Sequence, residues 1–237
     1  MKSINIQDLL IWEDRDFFAV NKPPFIATLE DRSQPVNLLS LAREYHPDAQ
    51  ACHRLDKETS GVIIFARNPG AYRHLSLQFQ HREVTKIYHA VVDGRHEWHE
   101  KLVDAPIAKN DDGTVSIRKY DGKPAQTWFT TLQLFRNHSL LECRPITGRM
   151  HQIRIHLTLL QAPITGDVTY GGKVFYLSSV KRGYNLKKQE EEQPLMKRMA
   201  LHAKSLVFKD MNQNLVTAEA DYPKDLHALV RQLSLNG

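Results

Sequence analysis

His53-Arg54-Leu55-Asp56-Lys57-Glu58-Thr59-Ser60-Gly61, followed without a break by Val62-Ile63-Ile64-Phe65-Ala66, decides how the rest of the chain is read. The run from Val62 to Ala66 is short, rich in β-branched side chains and free of polar residues, which is the pattern of a strand buried on both faces. The segment before it is then a loop delivered to the mouth of that strand. Thr59-Ser60-Gly61 supplies two hydroxyls and a residue free to adopt positive φ, the makings of a tight turn that fixes the direction of its neighbours. Asp56 therefore stands at a rigid edge, close to Arg54. On local features alone, a solvated surface turn with ordinary charges accounts for the stretch at least as well as a catalytic loop does.

Outward from that stretch, 237 residues suit one large domain or two small ones, and 41% hydrophobic content is enough to build a core, which excludes a disordered chain. The net charge is +5 without the twelve histidines, and the pI is near 9.1. Such a surface field favours polyanions such as RNA, although many basic proteins bind nothing acidic. The two cysteines, Cys52 and Cys143, form no close pair, and no amino-terminal apolar run resembles a signal peptide or membrane span. A reducing cytoplasm is the expected compartment, with no membrane partner.

Strand-like runs lie at Phe17 to Asn21, Val62 to Ala66, Ile87 to Val92, Thr114 to Arg118, Thr127 to Phe135, Ser139 to Arg144, Ser205 to Phe208 and Leu215 to Ala220. Short polar links at Asn110 to Gly113, Arg136 to His138 and Asp210 to Asn214 predict hairpins. Helices are expected at Val36 to Glu44, Ala71 to Gln80, Arg149 to Gln161 and Asp225 to Leu233. The last but one carries a buried stripe of Met150, Ile153, Leu157 and Leu160. The expected fold is α+β: a largely antiparallel mixed sheet with helices against it, in a single domain over residues 1–237. Residues 178–197 depart from the pattern. Lys181-Arg182, Lys187-Lys188 and Glu190-Glu191-Glu192 give them a charge-blocked composition that predicts a mobile insertion loop.

The string His53-Arg54-Leu55-Asp56-x-x-Thr59-Ser60-Gly61 resembles the catalytic loop of the RluA-type pseudouridine synthases, and further resemblances follow in order. Asn21-Lys22-Pro23-Pro24 looks like that family's early element, and Lys86 to Gly94 is similar to its tyrosine-bearing segment. Pro145 to His156 looks like its third motif. Gly166-Asp167 with Tyr170-Gly171, Leu201-His202-Ala203 and Tyr222-Pro223 complete a likeness over nearly the full length. It implies an RNA uridine isomerase of the form without an S4-like RNA-binding module. The resemblance makes Asp56 the catalytic carboxylate, Arg154 its ion partner and Tyr88 the ring that packs on the target base. As RNA contacts it implies Arg54, His53 and Thr59 in the loop and Arg149, His151 and Gln152 in the third motif. The partner is RNA, ribosomal or transfer; no cofactor or metal is implied, nor an obligate protein partner, and a monomer is expected. Two departures stand out. Phe25 replaces a glycine expected after the early element, and Lys209-Asp210-Met211 replaces a late His-Pro.

The residues suit the implied chemistry. A carboxylate serves as nucleophile or base in an isomerisation that breaks the bond from ribose to ring nitrogen and rejoins the ring through carbon 5. A base in folded RNA must first be turned out of its stack, at a cost of roughly a few kcal/mol. Stacking on an aromatic face returns roughly 1–3 kcal/mol per base. Arg54 can occupy the vacated stack or hold a phosphate. The remaining cations bind phosphates collectively, with a salt slope near −0.7 per neutralised phosphate for single strands. Without the resemblance, Arg154 reads as an exposed helical arginine, and for Tyr88 a core tyrosine in a strand fits the periodicity about as well as a stacking ring.

Other signals are weaker. His96-Glu97-Trp98-His99-Glu100 lacks the i, i+4 histidine spacing of zinc proteases, and Gly166 to Lys173 departs from the P-loop pattern. Cys52 beside His53 reads as a small buried hydrophobe before it reads as a nucleophile. His151 and His156 lie five positions apart, on different helix faces. A catalytically silent RNA-binding protein or chaperone and a metal-dependent phosphodiesterase are the rival functions.

Overall fold

The computed structural model describes residues 4–30, 36–181, 183–184 and 191–236. Two compact units make up the chain, one from residues 1–87 with 202–221, the other from residues 88–201 with 222–237. The first unit begins with β1 (Leu10–Glu13) and β2 (Phe17–Lys22). It continues through α1 (Leu38–Tyr45), β3 (Gln50–Ala51), β4 (Ser60–Ala66) and α2 (Pro69–His81). The boundary falls inside β5 (Thr85–Asp93). β6 (Lys101–Asp104), β7 (Ile107–Lys109), β8 (Val115–Ile117), β9 (Gln126–Leu134), β10 (His138–Pro145) and α3 (Gln152–Leu159) follow in the second unit. β11 (Leu201–Lys209) and β12 (Leu215–Glu219) return to the first, and α4 (Lys224–Asn236) ends the chain in the second.

In the first unit β2 pairs antiparallel with β1 and with β4, and β3 also pairs antiparallel with β4. β11 joins β4 in parallel, through His202 opposite Ser60 and Ala203 opposite Gly61, and β12 lies antiparallel on β11. All seven residues of β4 are buried, the double-sided burial that its unbroken apolar run predicts. Phe17, Val62, Ile64, Leu75, Leu206 and Phe208 form the core beneath it. The backbones of β4 and β11 approach so closely at Gly61, φ 112°, that a Cβ there would run into the Ala203 carbonyl. Glycine is required at this position. α2 starts sharply because the Asn68 side chain accepts the Ala71 N–H and Pro69 holds the first helical position.

In the second unit β5, β10, β9 and β6 lie side by side, each antiparallel to its neighbour, and β7 with β8 makes a separate hairpin. Val91, Phe129, Leu141, Leu157, Met199 and Leu229 fill its core. Together the units have the α+β class and the mixed, mainly antiparallel strand pairing expected from the sequence. The three polar links are hairpin turns, joining β7 to β8, β9 to β10 and β11 to β12. α3 is shorter than Arg149 to Gln161, because His151 sits in the left-handed region at φ 51° and the helix begins only after it. Met150 is consequently exposed and not part of the buried stripe, whereas Ile153 and Leu157 are buried.

Within the charged segment 178–197, Arg182 and residues 185–190 lie outside the described residues. Its described ends are tied down. The Ser178 N–H donates to Glu192 at 2.8 Å, the Leu195 N–H donates to the Phe175 carbonyl at 3.0 Å, and Met196 is buried. No helix among the described residues is long and apolar enough to cross a membrane.

Candidate active site

Asp56 lies in the first unit, partly buried, in a loop braced on every side by the elements that precede and follow it. The Thr59 N–H donates to the Asp56 carbonyl at 3.0 Å and closes the turn. Thr28 Oγ1 takes the Leu55 N–H at 3.2 Å and donates to the Leu55 carbonyl at 3.0 Å, so a single hydroxyl holds both ends of that residue. The Lys57 carbonyl receives the Phe25 N–H at 2.9 Å and the Lys22 ammonium at 3.0 Å. Lys22 is fully buried and also donates to the Pro23 carbonyl at 3.0 Å. The early Asn-Lys-Pro-Pro stretch is thus a clamp on the loop that carries Asp56. Sequence reading found the motif but missed Lys22 as a site residue, since nothing local shows which carbonyl a lysine reaches.

His53 anchors the same loop to β4. Its Nε2 accepts the Ile64 N–H at 3.1 Å, and its ring packs on Phe79 with centroids 5.2 Å apart. Burial, with the nearby Lys86 charge, pushes the imidazole down to about 3, so it stays neutral and keeps its acceptor lone pair for that bond. An RNA-contacting role was expected for His53, but its Nε2 and its contact with Phe79 are spent on anchoring the loop inside the protein. Thr59 is buried as well, and its place is in the turn, not on a surface that meets RNA. Arg54 is exposed.

Arg154 lies in the second unit on α3, buried at 8% exposure. Its Nε and Nη2 donate to the two carboxylate oxygens of Asp167 at 2.7 Å each, and its guanidinium lies 4.7 Å from the centroid of the Tyr170 ring. Tyr170 also takes the Val115 N–H on its hydroxyl at 2.9 Å and stands 2.9 Å from His151 Nδ1. The bidentate pair fixes the plane of the guanidinium and leaves Nη1 outside it. Asp167 belongs to a motif visible in the sequence, yet its role is not legible there because its partner lies on α3, well before it in the chain.

The third motif is otherwise a buried scaffold. Gln152 accepts from Thr147 Oγ1 at 2.7 Å and from the Arg149 N–H at 2.9 Å, and donates to the Gln126 carbonyl at 2.9 Å and to Thr127 Oγ1 at 3.0 Å. With its amide capacity filled inside the protein, Gln152 is a brace for Arg149 and not the RNA contact expected from the sequence. Thr127 Oγ1 stands 3.0 Å from His156 Nδ1, and His156 Nε2 donates to the Ala105 carbonyl at 3.0 Å, which continues the chain of bonds. Burial lowers the His156 pKa. Arg149 opens onto a concavity of about 390 Å³ lined also by Lys109, Arg118 and Lys123. Tyr88 is half-buried on β5, opposite Cys143 of β10.

The weaker signals resolve simply. His96 to Glu100 is not helical, and no group of three metal-capable side chains occurs among the described residues. Burial pushes the Cys52 thiol up to about 12, which makes it a poor nucleophile.

Residues 16–159, from β2 through α3 and with the braced Asp56 loop at their heart, match the sequence model of the RNA pseudouridylate synthases. The chain belongs to this family. It is 34% identical over 212 residues to ribosomal large subunit pseudouridine synthase C of Vibrio vulnificus, covering 87% of this chain and 63% of that protein. To the protein of the same name from Escherichia coli it is 32% identical over 209 residues, covering 86% of this chain and 62% of that one. The chain thus spans a little under two thirds of these relatives. Among solved structures, human RNA pseudouridylate synthase domain containing 4 shares the fold with a TM-score of 0.74 at 23% identity, over 97% of this chain and 94% of that one. Human RNA pseudouridylate synthase domain containing 1 gives a TM-score of 0.70 at 25% identity over 99% and 98%.

Proposed function

We propose that this chain converts uridine to pseudouridine in RNA, with Asp56 as the catalytic carboxylate. The observation that carries the reading is the bracing of the Asp56 loop by Lys22, Thr28, Phe25 and His53, a rigidity that a solvated turn does not need. Catalysis does need it, because a reacting group must be held in place before the substrate arrives. Membership of the RNA pseudouridylate synthase family supports the same reaction class.

Asp56 attacks or deprotonates the sugar as the bond from ribose to the ring nitrogen breaks. The uracil turns and rejoins through carbon 5; the carbon 5 hydrogen leaves as a proton and the freed ring nitrogen takes one up, so atoms and electrons balance. Arg154 is proposed as the ion partner of this carboxylate, its orientation preset by Asp167. Tyr88 stacks on the everted uracil, and exposed Arg54 takes the vacated place or a phosphate. Large-subunit ribosomal RNA is the first substrate to test, given the names of the relatives. The unpaired thiols Cys52 and Cys143 suit a reducing cytoplasm, and a monomer suffices for the reading.

Unmodified large-subunit ribosomal RNA transcribed with uridine tritiated at carbon 5 tests this directly, since isomerisation releases the label. Wild-type protein is expected to release it, and Asp56→Asn and Asp56→Ala to do so about 10³-fold more slowly or less while unfolding at the same urea concentration. Release at the wild-type rate by either variant would refute Asp56 as the catalyst. Tight binding of the transcript without release by wild type would favour the silent RNA-binding reading.

A further inference from the structure

Phe25 is in the wrong conformation for its residue type. Its φ is 68°, in the left-handed region, where a bulky side chain is a steric outlier and glycine costs nothing. The other described non-glycine residues with positive φ, namely Arg82, Glu100, His151, Gln161 and Gln213, are all polar. Burial gives the Phe25 ring little compensation. The side chain is 48% exposed and makes no ring or cation contact among the described residues. Its neighbours Ile26 and Ala27 are buried, so the backbone has no freedom to relax. A strained residue that persists without a packing reason is expected where function holds it.

The place of Phe25 says what that function is. Its N–H donates to the carbonyl of Lys57, the residue after Asp56, at 2.9 Å. The backbone that carries the ring is therefore tied to the loop that carries the carboxylate. We infer that Phe25 is a stacking platform for an unpaired nucleobase that flanks the target uridine, and so helps decide which uridine is presented to Asp56. The inference rests on the RNA reading of the site. An aromatic face accepts any base, so Phe25 selects for an unstacked neighbour and not for a particular base identity.

The test compares Phe25→Gly, Phe25→Ala and Phe25→Trp with wild type. Binding is read with a short fluorescein-labelled oligoribonucleotide carrying one uridine, and stacking with the same sequence bearing 2-aminopurine beside that uridine. Loss of one base–aromatic stack corresponds to roughly 5- to 150-fold weaker binding. Phe25→Gly and Phe25→Ala are expected to show that loss, with 2-aminopurine no longer quenched. Phe25→Trp should keep both properties, and in the tritium assay KM should rise more than kcat falls. Phe25→Gly should melt no lower than wild type, which separates the loss from misfolding. Binding of Phe25→Gly within about twofold of wild type would overturn the inference. So would Phe25→Trp binding as weakly as Phe25→Gly, or a lowered melting temperature with binding kept, which would assign the ring to packing. Tritium release by wild type is scored separately, so failure of the stacking inference and failure of the catalytic reading give different results.

Discussion

Removing the Asp167 carboxylate takes both bonds of a bidentate pair from a guanidinium that has almost no contact with water. Both Arg154 to Asp167 bonds are 2.7 Å long, and the two side chains are 9% and 2% exposed. Breaking such a pair from one side costs about 3–5 kcal/mol, since the remaining buried charge has lost its bidentate partner without regaining hydration. Asp167→Leu is expected to lose that much, and Arg154→Met a comparable amount. The double variant should lose far less than the sum, because an apolar pair of similar volume replaces a buried ion pair at little net cost. The coupling energy is expected to be about 2 kcal/mol or more, against about 0.3–0.5 kcal/mol for independent sites. Urea unfolding of the four proteins measures it. Additive losses would refute the claim that Asp167 is what holds Arg154. The tritium assay supplies the functional half, since Asp167→Asn should lower kcat with little change in KM if the orientation of Arg154 matters to the reaction.

Lys22→Met removes two charge-assisted bonds to carbonyls, including one that holds the Asp56 loop, and is expected to destabilise by about 2 kcal/mol and to lower kcat more than RNA affinity. Equal kcat in the variant would show that the clamp is dispensable. Gly61→Ala puts a Cβ against the Ala203 carbonyl at φ 112° and should cost more than about 2 kcal/mol in urea unfolding, a loss that an unstrained turn would not show. His53 has a native pKa of about 3 against an ordinary 6.5, so the unfolded chain binds a proton that the native chain does not between those values. Stability contributed this way is complete above pH 6.5 and is lost as pH falls toward 3, at up to about 1.4 kcal/mol per pH unit. His53→Gln should flatten that slope by close to one proton. An unchanged slope would show that His53 is solvated.

Much of the fold was legible because burial writes itself into local pattern. Val62 to Ala66, Phe17 to Asn21 and the runs at 127–135 and 139–144 are strands, since double-sided or alternating burial demands β-branched and aromatic residues at those spacings. Four strands were not anticipated. β1, β3, β6 and β7 are two to four residues long, with little burial along β1 and β6, so they carry almost no periodic signal. The start of α3 was misplaced because the apolar spacing extends past His151, and only the φ of 51° there shows that the helix does not. Of the candidate site residues, Asp56 lies partly buried in the braced loop and Arg54 is exposed beside it. Gln152, Thr59 and His53 turn out to be internal braces, a difference set by which partners fold against them.

By itself, the sequence determined the class of fold, the order of the main strands and helices and the identity of the loop that carries Asp56. Those depend on side-chain periodicity and on motifs within a few positions of each other. Tertiary structure alone decided that a buried Lys22 clamps that loop across 35 positions of chain, that Asp167 holds Arg154 and that Phe25 is strained. Hydrogen bonds and backbone angles of that kind are set when distant segments meet, and a residue's type does not reveal which partner it will find.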